Sequence, residues 1–455
     1  MSKSIKFGEA ATKVASLSPF QSHASSLLNE QHFYQNSILL GWSERDAHPV
    51  TLRHLANFGK KLTKEKLISS ANFVRTELPV RLSLKIRELQ SLDYSVINNH
   101  HINLVYQSYY HCFNAFRKMG RIETLDENDK FCDFLRKVLD DHLLVLPHLM
   151  MGALEVSILE KMRQEQLDDF MSSMLRSRIS RRVIIEQHTT LSESFQNQDG
   201  DTLQRPPNYI GAAFQYLSAR QQLMTCKDIV SSYLQSLYPE LQMPELIIYG
   251  EDVKFQFLTN HLNYIYAEIL RNSLKSTIQN FIHRHGNLSR DEVKKLKPPP
   301  IVVEITQTKK NMTFKFSDQG GGMSSNKLKK VWSFGKSPIL AEEYLANFHK
   351  MPGLNFNFSS PVVSESATDY GDLSEMIQNI GKMESSGDHK QKSVLISLVR
   401  RPLEFTLGIS MPMCKVYTDY WNGELDMRSV EGYGTDVFLT LKKLGSVERP
   451  QLDKA

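Results

Sequence analysis

From residue 30 to residue 190 the chain keeps apolar residues at helical spacing and uses glycine sparingly, which constrains its fold more than any other feature. Phe73, Val74, Leu78, Val80, Leu84, Ile86 and Leu89 repeat as one face of a helix would. Further helices are predicted at about 95–120, 128–143, 148–162 and 165–190. Long helices with short polar breaks pack as an antiparallel bundle. The most apolar stretch, Leu143 to Ile158, contains Pro147 and His148 and reads as a buried helix with a broken entry.

The character changes near residue 191. Ser192 to Pro207 is polar and reads as a loop. A helix is expected at about 210–237, then a short strand at 244–249 stopped by Gly250, a further strand at 253–258 and a long helix at about 259–284. After the charged, proline-ended connection Asn287 to Pro300, Ile301 to Gln307 and Met312 to Ser317 alternate as strands. A glycine-rich turn leads to a helix at about 324–331, and residues 354–392 read as a long mobile loop. A helix at about 408–421 and the strand Thr435 to Lys442 close the chain. The second half is therefore α+β, with helices on one face of a mixed sheet. The expected division is 30–195 for the helical domain, 205–445 for the second domain with a lid at about 335–405, and 446–455 for the tail.

The net charge of +5 is dispersed, and short basic clusters such as Lys327–Lys330 read as solvated helix faces, so nucleic acid is not an expected partner. Cys112, Cys132, Cys226 and Cys414 show no zinc-ligand spacing and are expected as thiols. No apolar run is long enough to span a membrane. Residues 1–29 set Lys3, Lys6 and Lys13 against Glu9, with many Ser and Ala. That composition suits a mitochondrial targeting segment, although it has no arginine and suits a disordered terminus equally.

Three local patterns carry chemistry. On the helix at 259–284, His261, Tyr264, Glu268, Asn272, Lys275 and Gln279 fall on one stripe, beside Leu262, Ile265, Tyr266 and Ile269. An amide oxygen at Asn272 suits magnesium, Glu268 could take a proton from an attacking hydroxyl, and Lys275 could meet phosphate. Taken alone, the stripe reads better as a solvated face. Asp318-Gln319-Gly320-Gly321-Gly322 ends a strand, where glycines let the backbone approach a ligand and Asp318 could accept from a purine amine. A tight turn explains it as well. Glu431-Gly432-Tyr433-Gly434-Thr435-Asp436 enters the last strand and alone reads as a hairpin.

In this order on these elements, the three patterns resemble the GHKL ATP-binding superfamily. Phe73-Val74-Arg75-Thr76-Glu77-Leu78-Pro79-Val80-Arg81-Leu82, Ser177-Arg178-Ile179-Ser180-Arg181-Arg182 with Gln187-His188, and Gly423-Glu424-Leu425 narrow the likeness. Over roughly residues 30–445 the chain resembles the mitochondrial pyruvate dehydrogenase and branched-chain kinases, nearest the divergent yeast type with an enlarged lid. The resemblance implies a four-helix bundle followed by a Bergerat-type α/β-sandwich ATP domain. It implies transfer of the ATP γ-phosphoryl, with Mg2+, to serine on the E1α subunit of the pyruvate dehydrogenase complex in the mitochondrial matrix. It also implies docking on the lipoyl domain of the E2 core, and a homodimer or a heterodimer with a second kinase. Glu268 matches the general base, Asn272 the magnesium ligand and Asp318 the adenine reader. Gly322 and Thr435 match the adenine pocket, and Ser337 a lid residue near the nucleotide. Nucleotide contacts are implied for Glu268, Ile269, Leu270, Arg271, Asn272, Ser273, Leu274 and Lys275, for Asp318 and Gly320, and for Thr406, Leu407, Gly408, Ile409, Ser410 and Met411.

The chain departs from the family in four places. Tyr264 stands where a histidine usually orients the base; its phenol could donate to Glu268 but is a poor relay near neutral pH. In Thr406-Leu407-Gly408-Ile409-Ser410-Met411-Pro412 only the middle lid glycine survives, and Thr406 and Ser410 could offer hydroxyls instead. Arg178 and His142 match the family's anion pocket, but Asp141 replaces an arginine there. The tail lacks the family's Asp-Trp pair. Besides the pyruvate dehydrogenase kinase, a branched-chain dehydrogenase kinase and a catalytically weak subunit regulating a partner kinase stay open.

Overall fold

A computed structural model describes residues 30–51, 61–196, 203–204, 213–286, 295–350, 394–399, 401, 405–443 and 451–452. The chain is α+β and divides into two compact units. One is drawn from Met1–Ala213, Phe334–Val394 and Gln451–Ala455, the other from Phe214–Ser333 and Leu395–Pro450. The expected loop at 354–392 and the segment 1–29 lie outside the described residues.

The first unit is helical: α1 (Glu30–Ser43), α2 (Lys64–Gln90), α3 (His100–Arg117), α4 (Leu125–Asp141), α5 (Val145–Ile158) and α6 (Gln164–Gln196). Side-chain caps start three of them. Thr63 accepts from Lys66 N at α2, Asn99 accepts at α3, and Thr124 and Glu127 form a reciprocal capping box at α4. α2 packs on α3 and α6, and α5 packs on α3, α6 and the helix Pro338–His349. Pro147 does not break α5. It sits in the first turn, where its missing N–H would have had no intrahelical acceptor. α6 runs on to Gln196, past the loop expected from Ser192. The hydroxyls of Thr189, Thr190 and Ser194 donate to carbonyls three or four residues back, so this polar stretch satisfies itself as helix. The interior also holds ion pairs: Arg81, fully buried, donates through Nε to Glu77 at 2.7 Å and through Nη1 to Ser180 at 2.6 Å.

The second unit has the strands β1 (Gln215–Ser218), β2 (Leu246–Tyr249), β3 (Lys254–Phe257), β4 (Ile301–Gln307), β5 (Asn311–Asp318), β6 (Glu424–Val430) and β7 (Gly434–Lys442). Five form one sheet in the order β2-β4-β5-β7-β6, with β2 and β4 parallel and the other pairs antiparallel; β1 and β3 make a separate ribbon. Its principal helices are α7 (Ala219–Leu237), α8 (Thr259–Arg284), α9 (Ser325–Lys330), α10 (Val394–Val399) and α11 (Ser410–Tyr420).

The helix expected from residue 210 starts at Ala219, because Ser218 caps it by accepting from Gln221 N, and the residues before it pair as β1. The strand β6, antiparallel to β7, went unrecognised. Along β5 burial alternates, so Met312, Phe314, Phe316 and Asp318 point inward. Tyr266 of α8 packs on Phe314 and Phe316 with ring centroids 5.4 and 6.1 Å apart. The opposite sheet face is polar, with Lys315 Nζ 3.6 Å from Glu304 and 3.4 Å from Asp436.

Candidate active site

The alternation that builds the β5 core delivers Asp318 into the interior, at the strand's end. Its Oδ1 accepts from Gly320 N at 2.9 Å and from Thr435 N at 3.2 Å, and Ser273 of α8 adds a side-chain hydrogen bond. Burial raises the carboxyl's pKa, and these donors offset part of that rise. The glycine turn is tied to the β6–β7 hairpin: Gly321 N donates to Tyr433 O at 3.2 Å and Gly432 N to Gly321 O at 2.8 Å. It is tied to α8 as well, through Asn280 Nδ2 donating to Gln319 O at 2.8 Å. Arg284 Nη2 donates to Gly432 O at 2.8 Å. The three sequence patterns thus meet at one place in the second unit.

Gly322 cannot carry a side chain there. Its φ is +63°, and a Cβ would lie 2.0 Å from Val430 O. Gly322→Ala is expected to destabilise the chain by about 1–3 kcal/mol, read as a lower urea midpoint at unchanged slope. An unchanged midpoint would mean that the turn has room to relax.

The stripe on α8 is not one solvated face. His261, Tyr264 and Glu268 are buried, and Asn272 is exposed. His261 Nδ1 accepts from Trp421 Nε1 at 3.2 Å. The Tyr264 phenol does not turn to Glu268; it donates to Met413 Sδ at 3.6 Å, and burial, reinforced by the Glu268 charge, holds its pKa well above the usual 10. Ile269, Leu270 and Leu274 lie in the core and offer no surface to a ligand, while Arg271 and Ser273 are buried polar groups.

Glu268 is 0 % exposed, and its partner is a residue that sequence reasoning missed. Arg401 Nη1 donates to Oε1, and Nη2 donates to Oε2 at 2.8 Å. Arg271 Nε stands 3.8 Å from Oε1. Burial, the largest single effect, pushes the carboxyl's pKa up, but the Arg401 charge and hydrogen bonds together with Arg271 and Ser410 outweigh it and the net shift is downward. Burial likewise opposes the guanidinium, which Glu268 nevertheless holds above its ordinary value. No periodicity could have indicated this pair, whose members are 133 residues apart.

Of the lid run, Thr406 Oγ1 accepts from Lys275 Nζ at 2.7 Å, and Ser410 Oγ accepts from Arg401 Nη2 at 3.0 Å. Leu407, Ile409 and Met411 are buried. Gly408 has φ +71°, a left-handed conformation that favours glycine there. Ser337 belongs to the first unit, exposed just before Pro338 at the head of its helix.

The first unit carries the residues matched to the anion pocket. Burial first, then the charges of Arg181 and Arg178, lower the pKa of His142 to about 3, so it is neutral at pH 7. The Arg181 guanidinium lies over the Tyr109 ring, 4.3 Å from its centroid. Among the described residues no group of three or more His, Cys, Asp or Glu could hold a metal, the four cysteines are free, and no helix is long and apolar enough to cross a membrane.

Residues 49–214 match the family model described as mitochondrial branched-chain alpha-ketoacid dehydrogenase kinase. Over its length the chain is similar to [pyruvate dehydrogenase (acetyl-transferring)] kinase 2, mitochondrial, of Saccharomyces cerevisiae. The two are 37% identical, covering 94% of this chain and 89% of the relative. The mitochondrial enzyme of Arabidopsis thaliana with the corresponding name is 26% identical, over 88% of this chain and 92% of the relative. Human isozyme 3 is 23% identical over 89% and 85%. The chain belongs to the mitochondrial pyruvate dehydrogenase (acetyl-transferring) kinase family.

Proposed function

We propose that the chain is an ATP-dependent protein serine kinase that phosphorylates and so inactivates the E1α subunit of the pyruvate dehydrogenase complex in the mitochondrial matrix. The observation that carries this reading is the docking of the glycine turn on α8, where Asn280 Nδ2 donates to Gln319 O at 2.8 Å and Gly320 lies so close that a Cβ would meet Ser276 Oγ at 2.2 Å. It fastens the residue suited to adenine beside the α8 turn bearing Glu268 and Asn272. In the proposed reaction the serine oxygen bonds to the γ-phosphorus, the bond to the β,γ-bridging oxygen breaks, and ADP leaves. Glu268 takes the hydroxyl proton. Asp318 accepts from the adenine amine, with Gly320, Gly322 and Thr435 around the ring. The backbone of Thr406–Met411, the Thr406 and Ser410 hydroxyls and Lys275 face the phosphates.

Asn272 fits magnesium: it is an exposed amide oxygen one turn from Glu268, and Mg2+ takes a few oxygen ligands while keeping several waters. When bound, the ion neutralises charge on the phosphoryl group being transferred. The second unit is read as a GHKL domain and the first unit's long helices as a four-helix bundle. The limits proposed are 30–195 and 205–445, with a lid at about 335–405. Docking on an E2 lipoyl domain and pairing with a second kinase chain belong to the same proposal.

A second reading is favoured by the family model that matches residues 49–214: the substrate would be the branched-chain dehydrogenase. A third, a weak kinase serving as a regulatory subunit, is favoured by the buried state of Glu268 and the lid with one remaining glycine. Purified chain with radiolabelled ATP is expected to label the pyruvate dehydrogenase E1α in preference to the branched-chain E1α. Reversed preference selects the second reading. No labelling of either by the chain alone, with labelling restored by a partner kinase, selects the third.

A further inference from the structure

Glu268, the base under the proposed function, is closed off. In the described state both carboxylate oxygens are held by Arg401 and none of the residue reaches solvent. A serine hydroxyl has no access to it, so Arg401 must leave before proton transfer.

A guanidinium fork fits a phosphate as it fits a carboxylate, with two parallel hydrogen bonds. The Arg401 fork already lies 3.0 Å from Ser410 Oγ, at the first residue of α11, and that helix start has no side-chain cap. Its uncapped N–H groups and Lys275, which reaches Thr406, put positive charge along the segment proposed to face the phosphates. The backbone at Arg401 is anchored independently of the side chain. Arg271 Nη1 donates to Arg401 O at 2.9 Å, and Nη2 donates to Val399 O. The guanidinium can therefore swing while its Cα stays on α8. Arg271, 3.8 Å from Glu268, would remain as the carboxylate's charge partner.

We propose that Arg401 has two stations. It pairs with Glu268 in the nucleotide-free chain and transfers to the nucleotide's phosphates on binding, which releases Glu268 for the serine hydroxyl. Arg401 is then a positioning residue toward the base and a direct ligand of the nucleotide. Binding of nucleotide arms the base, and the free enzyme keeps it closed.

The test is a double-mutant cycle on binding, which needs no turnover. A non-hydrolysable ATP analogue with magnesium is titrated calorimetrically into full-length wild type, Glu268→Gln, Arg401→Gln and the double variant. Glu268→Gln is expected to bind about 10-fold tighter, because Arg401 no longer has to leave a carboxylate; adding Arg401→Gln is expected to remove that gain. In the wild-type background Arg401→Gln is expected to change affinity by less than about 3-fold. If Arg401→Gln has the same effect, within about 2-fold, in both backgrounds, the two-station idea is wrong. It is equally wrong if Glu268→Gln does not tighten binding. Should Arg401→Gln alone fail to fold, the gain in Glu268→Gln and its loss in the double variant still decide, since neither protein holds an unpaired buried carboxylate. The reading of Glu268 as base fails separately: it falls if Glu268→Gln still phosphorylates E1α at the wild-type rate, whatever the binding cycle gives.

Discussion

Glu268→Gln is expected to lower single-turnover phosphate transfer to E1α by roughly 10²–10⁴-fold, the range that general-base removal costs. The substitution is isosteric and keeps an acceptor for Arg401, so folding should survive and nucleotide should still bind. Neither of the two buried groups before it on the stripe is free to take over the proton. The Tyr264 phenol is spent on Met413 and its pKa is driven further above 10 by burial and by the carboxylate. His261 is committed to Trp421. The pH dependence sharpens the test. Since the net shift of Glu268 in the free chain is below its ordinary value of 4.5, the group is deprotonated throughout the neutral range. Its protonation should therefore leave kcat/KM flat from about pH 6 to pH 8. A wild-type acid limb near pH 6.5 would mean that some other group limits the reaction. Equal rates for wild type and Glu268→Gln would remove Glu268 from the chemistry.

How much of this site the sequence revealed depends on the range over which each feature is determined. Asp318 was legible because strand alternation and the glycine turn are local: the period that buries Phe314 and Phe316 also buries Asp318. The meeting of that turn with Thr435 followed from the resemblance, and β5 and β7 pair directly at that register, Asp318 opposite Thr435. The strand β6 was missed because its alternation is short: only Leu425 and Met427 turn inward, between Glu424, Asp426 and Arg428. Only pairing with β7 makes it a strand. The start of α7 was misplaced although Ser218 and Gln221 carry a local capping signal. The Glu268–Arg401 pair was out of reach for a different reason. A buried charge finds its partner through tertiary structure, and an arginine beside an expected lid carries no periodic mark. Helical phase placed His261, Tyr264, Glu268 and Asn272 on one stripe correctly, but phase cannot say where along its length a stripe passes from core to solvent.

The pair also makes the largest stability prediction. Arg401→Met should destabilise the chain by about 3–5 kcal/mol at pH 7.5, because it leaves a buried carboxylate without its main partner. Arg271 at 3.8 Å compensates only in part. The sign of the pH dependence should invert. In wild type the folded pKa of Glu268 lies below the unfolded one, so its contribution is present above pH 4.5 and is lost as pH falls through the folded value. In Arg401→Met the raising effect of burial is no longer outweighed, and the folded pKa moves above 4.5. The folded state then prefers the protonated acid, so stability declines as pH rises above the unfolded pKa and recovers toward pH 5. Urea midpoints at pH 5 and pH 7.5 test this directly: the deficit of Arg401→Met should shrink at the lower pH. Adding Glu268→Gln should restore most of the loss at pH 7.5, since removing both charges leaves none unpaired, and exchanging a buried ion pair for neutral groups is often close to neutral. A deficit that is the same at both pH values and is not rescued by Glu268→Gln would mean that Arg401 acts through packing alone. In that case the carboxylate it covers would be solvated by some other route.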